Sequence, residues 1–155
     1  MIDRILPRAI DNQYHGARAA LWMLGILVLL KGAMGANSFL NGRLVAMRAD
    51  GIPLDTFTPA GADTVVAFLG LWGLSLLLFS LLGVLALVRY RAMVPLVFVL
   101  LLAEHVGRKL ILLALPVAHA GASPAFSINA GFLIATIVGL ALSIWPTNKQ
   151  PGAPS

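Results

Sequence analysis

Cysteine is absent from the chain, which excludes disulfides, thiol nucleophiles, iron–sulfur ligation and thiolate zinc sites together. Charge is scarce: Asp, Glu, Lys and Arg make up 11% of 155 residues, against roughly 25% in a soluble domain. A chain so poor in charge cannot cover a water-facing surface in the usual way. Acid is the scarcer sign, with 6 Asp and Glu against 11 Lys and Arg. Also missing are a phosphate-binding glycine loop, a serine-nucleophile motif and a metalloprotease helix signature. The formal charge of +5 does not point to nucleic acid, because the basic residues are scattered at the edges of apolar runs rather than gathered in a stripe. That placement is the pattern of membrane topology.

What the chain has is apolar length. Hydrophobic residues make up 59% of it, and four runs stand out: 17–39, 64–88, 92–117 and 127–145. Each meets the roughly 17 to 25 residues that a membrane-crossing helix needs. The runs are continuous and lack the alternation of a membrane β-barrel. The expected fold is therefore an all-α integral membrane four-helix bundle with four transmembrane spans. Residues 1–16 are expected to form a cytoplasmic or interfacial N-terminal segment, 17–145 the four-span membrane domain, and 146–155 a disordered tail rich in Pro and Gly.

Arg18 before the apolar Ala19–Leu30, with small residues at Ala33-Met34-Gly35, has the outline of a cleaved signal peptide. Against that, Lys31 falls between the apolar core and the small residues, and the run continues beyond it. Retention as a first span is expected. Orientation follows from the basic residues near the span ends. Arg4, Arg8, Arg18, Arg89, Arg91 and Lys149 lie on one side, and Arg43 and Arg48 on the other. The excess predicts both termini in the cytoplasm, in a bacterial-type inner (plasma) membrane. Trp22 and Trp145 fall at the same cytoplasmic interface, and the short turn Val88-Arg89-Tyr90-Arg91 makes the second and third spans antiparallel neighbours. Thr58-Pro59 reads as a cap followed by a first-turn proline, so the second helix is expected to start before the membrane.

The third run carries Glu104-His105-Val106-Gly107-Arg108-Lys109 near its midpoint. Charges at that depth are costly and mark function or a tight polar contact between helices. At about 100° per residue, Arg108 lies about 40° from Glu104, with His105 and Lys109 about 100° and 140° away, so all four share one side of the helix. Glu104 and Arg108 also have the favourable acid-first i,i+4 order. Lys31 interrupts the first span at a comparable depth, if the first and third helices run parallel from the same surface. Counting Lys31, Arg108 and Lys109 against Glu104 leaves two unmatched positive charges. Uncompensated cations in low dielectric are unfavourable by several kcal/mol each, even after relaxation. Water entry, loss of a lysine proton or an anionic partner would each resolve the imbalance.

Asn37, Ser38 and Asn41 at the outer end of the first span, and Asn129 at the outer end of the fourth, extend the polar centre toward the outside. Singly, each is an ordinary interhelical hydrogen-bonding residue. A metal or haem is not expected: Glu104 and His105 are the only close candidate ligands, while His15 and His119 fall outside the spans. Gly131, Ala135, Gly139 and Ser143 place small residues every four positions on the fourth span, and Gly32 and Ala36 do so briefly on the first, a pattern that lets helix backbones approach closely.

Three functions fit these features. A positive centre of Lys31, Arg108 and Lys109, oriented by Glu104, would hold an anionic lipid or amphipathic anion. Alternatively, the chain is a structural or accessory subunit whose centre is neutralised by a partner membrane subunit or a second copy. In a third reading, Glu104 and His105 handle protons in a membrane enzyme or proton-coupled transporter.

Overall fold

The computed structural model describes residues 5–6, 11–115 and 124–145. The expected tail at 146–155, Arg4, Arg8 and Lys149 of the orientation count, half of segment 1–16, His119 and the end of the third run at 116–117 lie outside the described residues. Among the described residues the chain is all-helical, without strands. Five α-helices follow in order: α1 (Arg18–Leu40), α2 (Gly42–Arg48), α3 (Pro59–Val88), α4 (Val94–Ala114) and α5 (Pro124–Ile144).

Local sequence chemistry sets the ends of these helices. α1 stops where Asn41 leaves helical geometry (φ −125°, ψ 35°), so the short α2 is a separate helix rather than a continuation. The loop after α2 turns at Gly51, whose φ of +67° lies where a side chain would be strained. Thr58 caps α3, its hydroxyl accepting from the Gly61 amide at 3.2 Å, and Pro59 fills the first position, whose amide would have no partner in the helix. Pro95 and Pro124 occupy the first turns of α4 and α5 in the same way.

Three of these helices are long and apolar enough to cross a membrane among the described residues: Arg18–Leu40, Pro59–Val88 and Ser127–Ile144 of α5. At 21 residues α4 is of spanning length, about 1.5 Å per residue, yet it carries Glu104, Arg108 and Lys109 and so is not apolar enough to join them. The outward faces are greasy: Trp22, Leu29, Phe68, Leu81, Leu113 and Ile134 are all at least 60% exposed. Water does not tolerate so extended an apolar surface on a monomer, and lipid does. Length, apolarity and this surface are together those of a membrane protein.

The longest contact in the bundle runs between α1 and α3. Its seam is built on glycine. A Cβ added at Gly35 would lie 2.7 Å from the Gly73 carbonyl oxygen, and one added at Gly73 would lie 2.7 Å from that of Gly35. Farther along, Gly32 faces Ser80 and Gly83 faces Val28. With no side chains between them the two backbones come close, and dispersion contact rather than water release holds them, as membrane helices require. α5 then packs on α1 and α4, around a core of Leu24, Val28, Val97, Phe98 and Leu101. Gly139 sits directly against the Phe98 ring, Ser143 is buried, and Ala135 is partly buried against the same core, so these three residues of the small-residue stripe face inward. Gly131 does not: a Cβ there would meet nothing within 4 Å.

At one end of the bundle the Ala17 amide donates to Leu142 O at 3.0 Å, docking the start of α1 on the end of α5. Beside it the Tyr14 hydroxyl donates to Ala17 O at 3.2 Å, and burial pushes its pKa up to about 12. The opposite end holds a small second core of Ala46, Leu54 and Ala62, which pins α2 against the start of α3. Arg43 and Arg48, the two arginines expected on the outer side, both lie on α2.

Candidate functional site: a polar column between α1, α3, α4 and α5

The polar residues of α4 are stacked by the helical repeat, and their surroundings change along the helix. Deepest lies an ion pair. The Lys31 ammonium of α1 donates to Glu104 Oε2 at 2.5 Å, with side-chain exposures of 6% and 16%. In chain order these residues are 73 positions apart. They meet because α1 and α4 both run away from the same end of the bundle. His105 packs beside the pair: its Nδ1–H donates to Leu101 O at 2.9 Å and lies 3.3 Å from Glu104 Oε2. A carbonyl can only accept, so the Nδ1 proton is fixed by that bond. In the neutral ring Nε2 is then a bare acceptor, and it has no protein partner, as is also true of Glu104 Oε1 and Ser80 Oγ. A cavity of about 10 Å³ lies between Lys31, His105, Trp72, Arg108 and Asn129, room for about one water.

One turn farther along α4, Arg108 is half-buried and solved differently. Its Nη2 donates to Asn129 Oδ1 on α5 at 2.7 Å, and its guanidinium carbon stands 5.3 Å from the centre of the Trp72 ring on α3. An amide oxygen and a ring face are favourable neighbours for a cation, yet neither carries charge. No carboxylate pairs with Arg108 among the described residues. Its other side opens on a cleft of about 360 Å³, lined by Met34, Asn37 and Ser38 of α1, Arg48 of α2, Asp50 after it, Trp72, and Ile128 and Asn129 of α5. Two guanidinium groups thus face the cleft with one carboxylate. The cleft and the small cavity share Met34, Trp72, Arg108 and Asn129, so Arg108 forms the partition between the open and closed parts of the column.

The remaining residues singled out from sequence are spread around this column. Asn41 Nδ2 donates to Asn37 Oδ1 at 2.9 Å on the exposed rim, and Asn37 alone of the two lines the cleft. Lys109 lies outside the column and is exposed. Burial on α4 ends at His105; past that level the flanking helices cover only the Arg108 side, and Lys109 shares its surface with exposed Leu110, Ile111, Leu112 and Leu113. The unmatched charge is therefore narrower than a count over the sequence suggests: Glu104 neutralises Lys31, Lys109 faces outward, and Arg108 is left. Trp72 and Arg48 were the contributors that a reading of charged runs passes over. A tryptophan one residue from a close-packing glycine, Gly73, was the available signal for the first.

Among the described residues no three His, Asp or Glu side chains gather as metal ligands. No protein-family model, curated protein or solved structure matches the chain.

Proposed function

We propose that the chain is a four-span module of a bacterial-type inner membrane, with both termini cytoplasmic, that binds an anionic headgroup at Arg108 from the outer side. One observation carries this reading. A half-buried guanidinium, held by neutral Asn129 and Trp72, faces an open cleft that a second guanidinium, Arg48, also lines. A phosphate or carboxylate would supply the charge-assisted partner that the protein does not, and a guanidinium presents its donors in the fork that such groups accept. α4 is the remaining span here: the ion pair with Lys31 and the contacts of Arg108 mask two of its charges, Glu104 and Arg108, from lipid, and the long stem of Lys109 lets its ammonium reach the interface. The basic residues Arg18, Arg89 and Arg91 cluster at the end where α1 begins and α3 ends, which supports that end as cytoplasmic.

A second reading has its own support. The outer half of α4 exposes Lys109 beside Leu110 to Leu113, a face that a partner subunit with an acidic residue would cover. The two are separated by native mass spectrometry of the protein extracted in a mild detergent. For the headgroup reading, the protein carries bound anionic phospholipid, and Arg108→Gln loses it while Lys109→Gln keeps it. A protein stripped of lipid yet joined to a second chain through Lys109 would replace that reading with the subunit one. Unchanged lipid in Arg108→Gln removes the headgroup site.

A further inference from the structure

Beside the cleft at Arg108 lies a second space with no charged residue in its lining. A groove of about 390 Å³ runs between α1 and α5, with Met23, Ile26 and Leu30 on one wall and Gly131 and Ala135 on the other. Ile128 lines both this groove and the Arg108 cleft, so the two adjoin at that side chain. The groove spans two helical turns on each wall, about 10 Å. From Ile128 it leads along α5 toward Ala135 and back along α1 toward Met23, away from the end where α2 lies. Gly131 keeps it open, since a side chain at that position would project into it and touch nothing else.

Resting on the headgroup reading above, we infer that the ligand is a chain-bearing anion whose acyl chain lies in the α1/α5 groove while its acidic group meets Arg108. Charge and adjacency select this occupant together. A free phosphate would use the cleft and leave the groove without purpose, and a neutral alkane would use the groove and leave Arg108 without a counter-charge. An acyl anion uses both, with its polar end toward α2 and its tail pointing toward the opposite end of the bundle. A lipid of one leaflet is oriented the same way, so it can enter sideways without turning over. Each buried methylene adds to affinity, so the chain rather than the headgroup supplies most of the binding, and Arg108 selects its charge.

Photolabelling of the unmodified protein tests this. The probe is dodecyl phosphate carrying a diazirine in mid-chain, added to the protein in detergent micelles, with adducts mapped by peptide mass spectrometry. Adducts are expected on residues 23–30 and 128–135, competed by dodecyl phosphate but not by dodecanol or inorganic phosphate. Gly131→Trp, which fills the groove, and Ile26→Trp on the facing wall should each cut labelling at least roughly tenfold. Arg108→Gln should do the same. If labelling spreads evenly over the exposed faces of α3 while Arg108→Gln still abolishes retention of dodecyl phosphate, the groove inference fails and the headgroup site survives. Groove labelling indifferent to Arg108→Gln, or equally competed by dodecanol, means contact with bulk amphiphile only and overturns both.

Discussion

Lys31 and Arg108 are both cations set among apolar helices, about one turn apart in level, and the fold treats them in opposite ways. Lys31 is enclosed at 5% exposure with a carboxylate against its ammonium. Arg108 is half-buried, touches an amide and a ring, and faces a cleft. A buried ion pair complete in itself has little to offer a ligand, because neither charge can be released without leaving the other stranded. A cation with neutral neighbours and an open side can accept an anion without breaking anything. The difference between a structural and a binding charge in this bundle is therefore whether a carboxylate is already in place.

The sharpest way to break that contrast is to strand one member of the inner pair. Lys31→Met should destabilise the protein by about 3–5 kcal/mol, since Glu104 is left buried without its counter-ion. Lys31→Met combined with Glu104→Leu should recover most of that loss, because no charge then remains unpaired. Thermal or denaturant-induced unfolding in detergent measures both. Single variants costing under about 1 kcal/mol would mean that water reaches the pair and that Lys31 and Arg108 are not different in kind.

Much of this column could be read before the fold was known, and the residues show why. The depth of Lys31 and Glu104 followed from counting along two parallel helices from a common surface, and the i,i+4 stacking of Glu104 and Arg108 followed from the helical repeat. Both are one-dimensional quantities. Lys109 was out of reach of such counting: it shares a side with its neighbours, but its exposure depends on how far along α4 the flanking helices extend, which no single helix encodes. The close seam between α1 and α3 was half visible. Gly73, Leu76, Ser80 and Gly83 repeat at alternating spacings of three and four, yet the every-fourth pattern on α5 is more regular and draws the eye first. The regular pattern proved mixed, with Gly139 packed and Gly131 open.

That mixture makes the next test. Gly73→Ala should cost about 1–3 kcal/mol, because its methyl would press on the Gly35 carbonyl and both backbones would have to part. Gly131→Ala should leave stability unchanged within about 0.5 kcal/mol, having open space before it. Equal costs at the two positions would mean that α5 packs against something at Gly131, and the groove would then belong to an interface. Arg108→Gln comes lower on the scale of stability. Glutamine keeps a donor for Asn129 and removes a charge with no carboxylate partner, so the change should stay within about 1 kcal/mol while ligand retention is lost.

Smallest of all should be the effect at the exposed ion pair of Arg43. Arg43 on α2 meets Asp63 on α3 at 3.3 Å, with side chains 57% and 76% exposed. Its chemistry matches that of the Lys31–Glu104 pair, a cation facing a carboxylate, but water screens both groups and competes for every hydrogen bond. Asp63→Asn is expected to change stability by about 0.2–1 kcal/mol, with that change vanishing in high salt. The Lys31–Glu104 effect should survive the same salt, because ions do not reach a pair packed between helices. A salt-sensitive inner pair would place it in contact with bulk water, and the closed half of the column would have to be redrawn as part of the cleft.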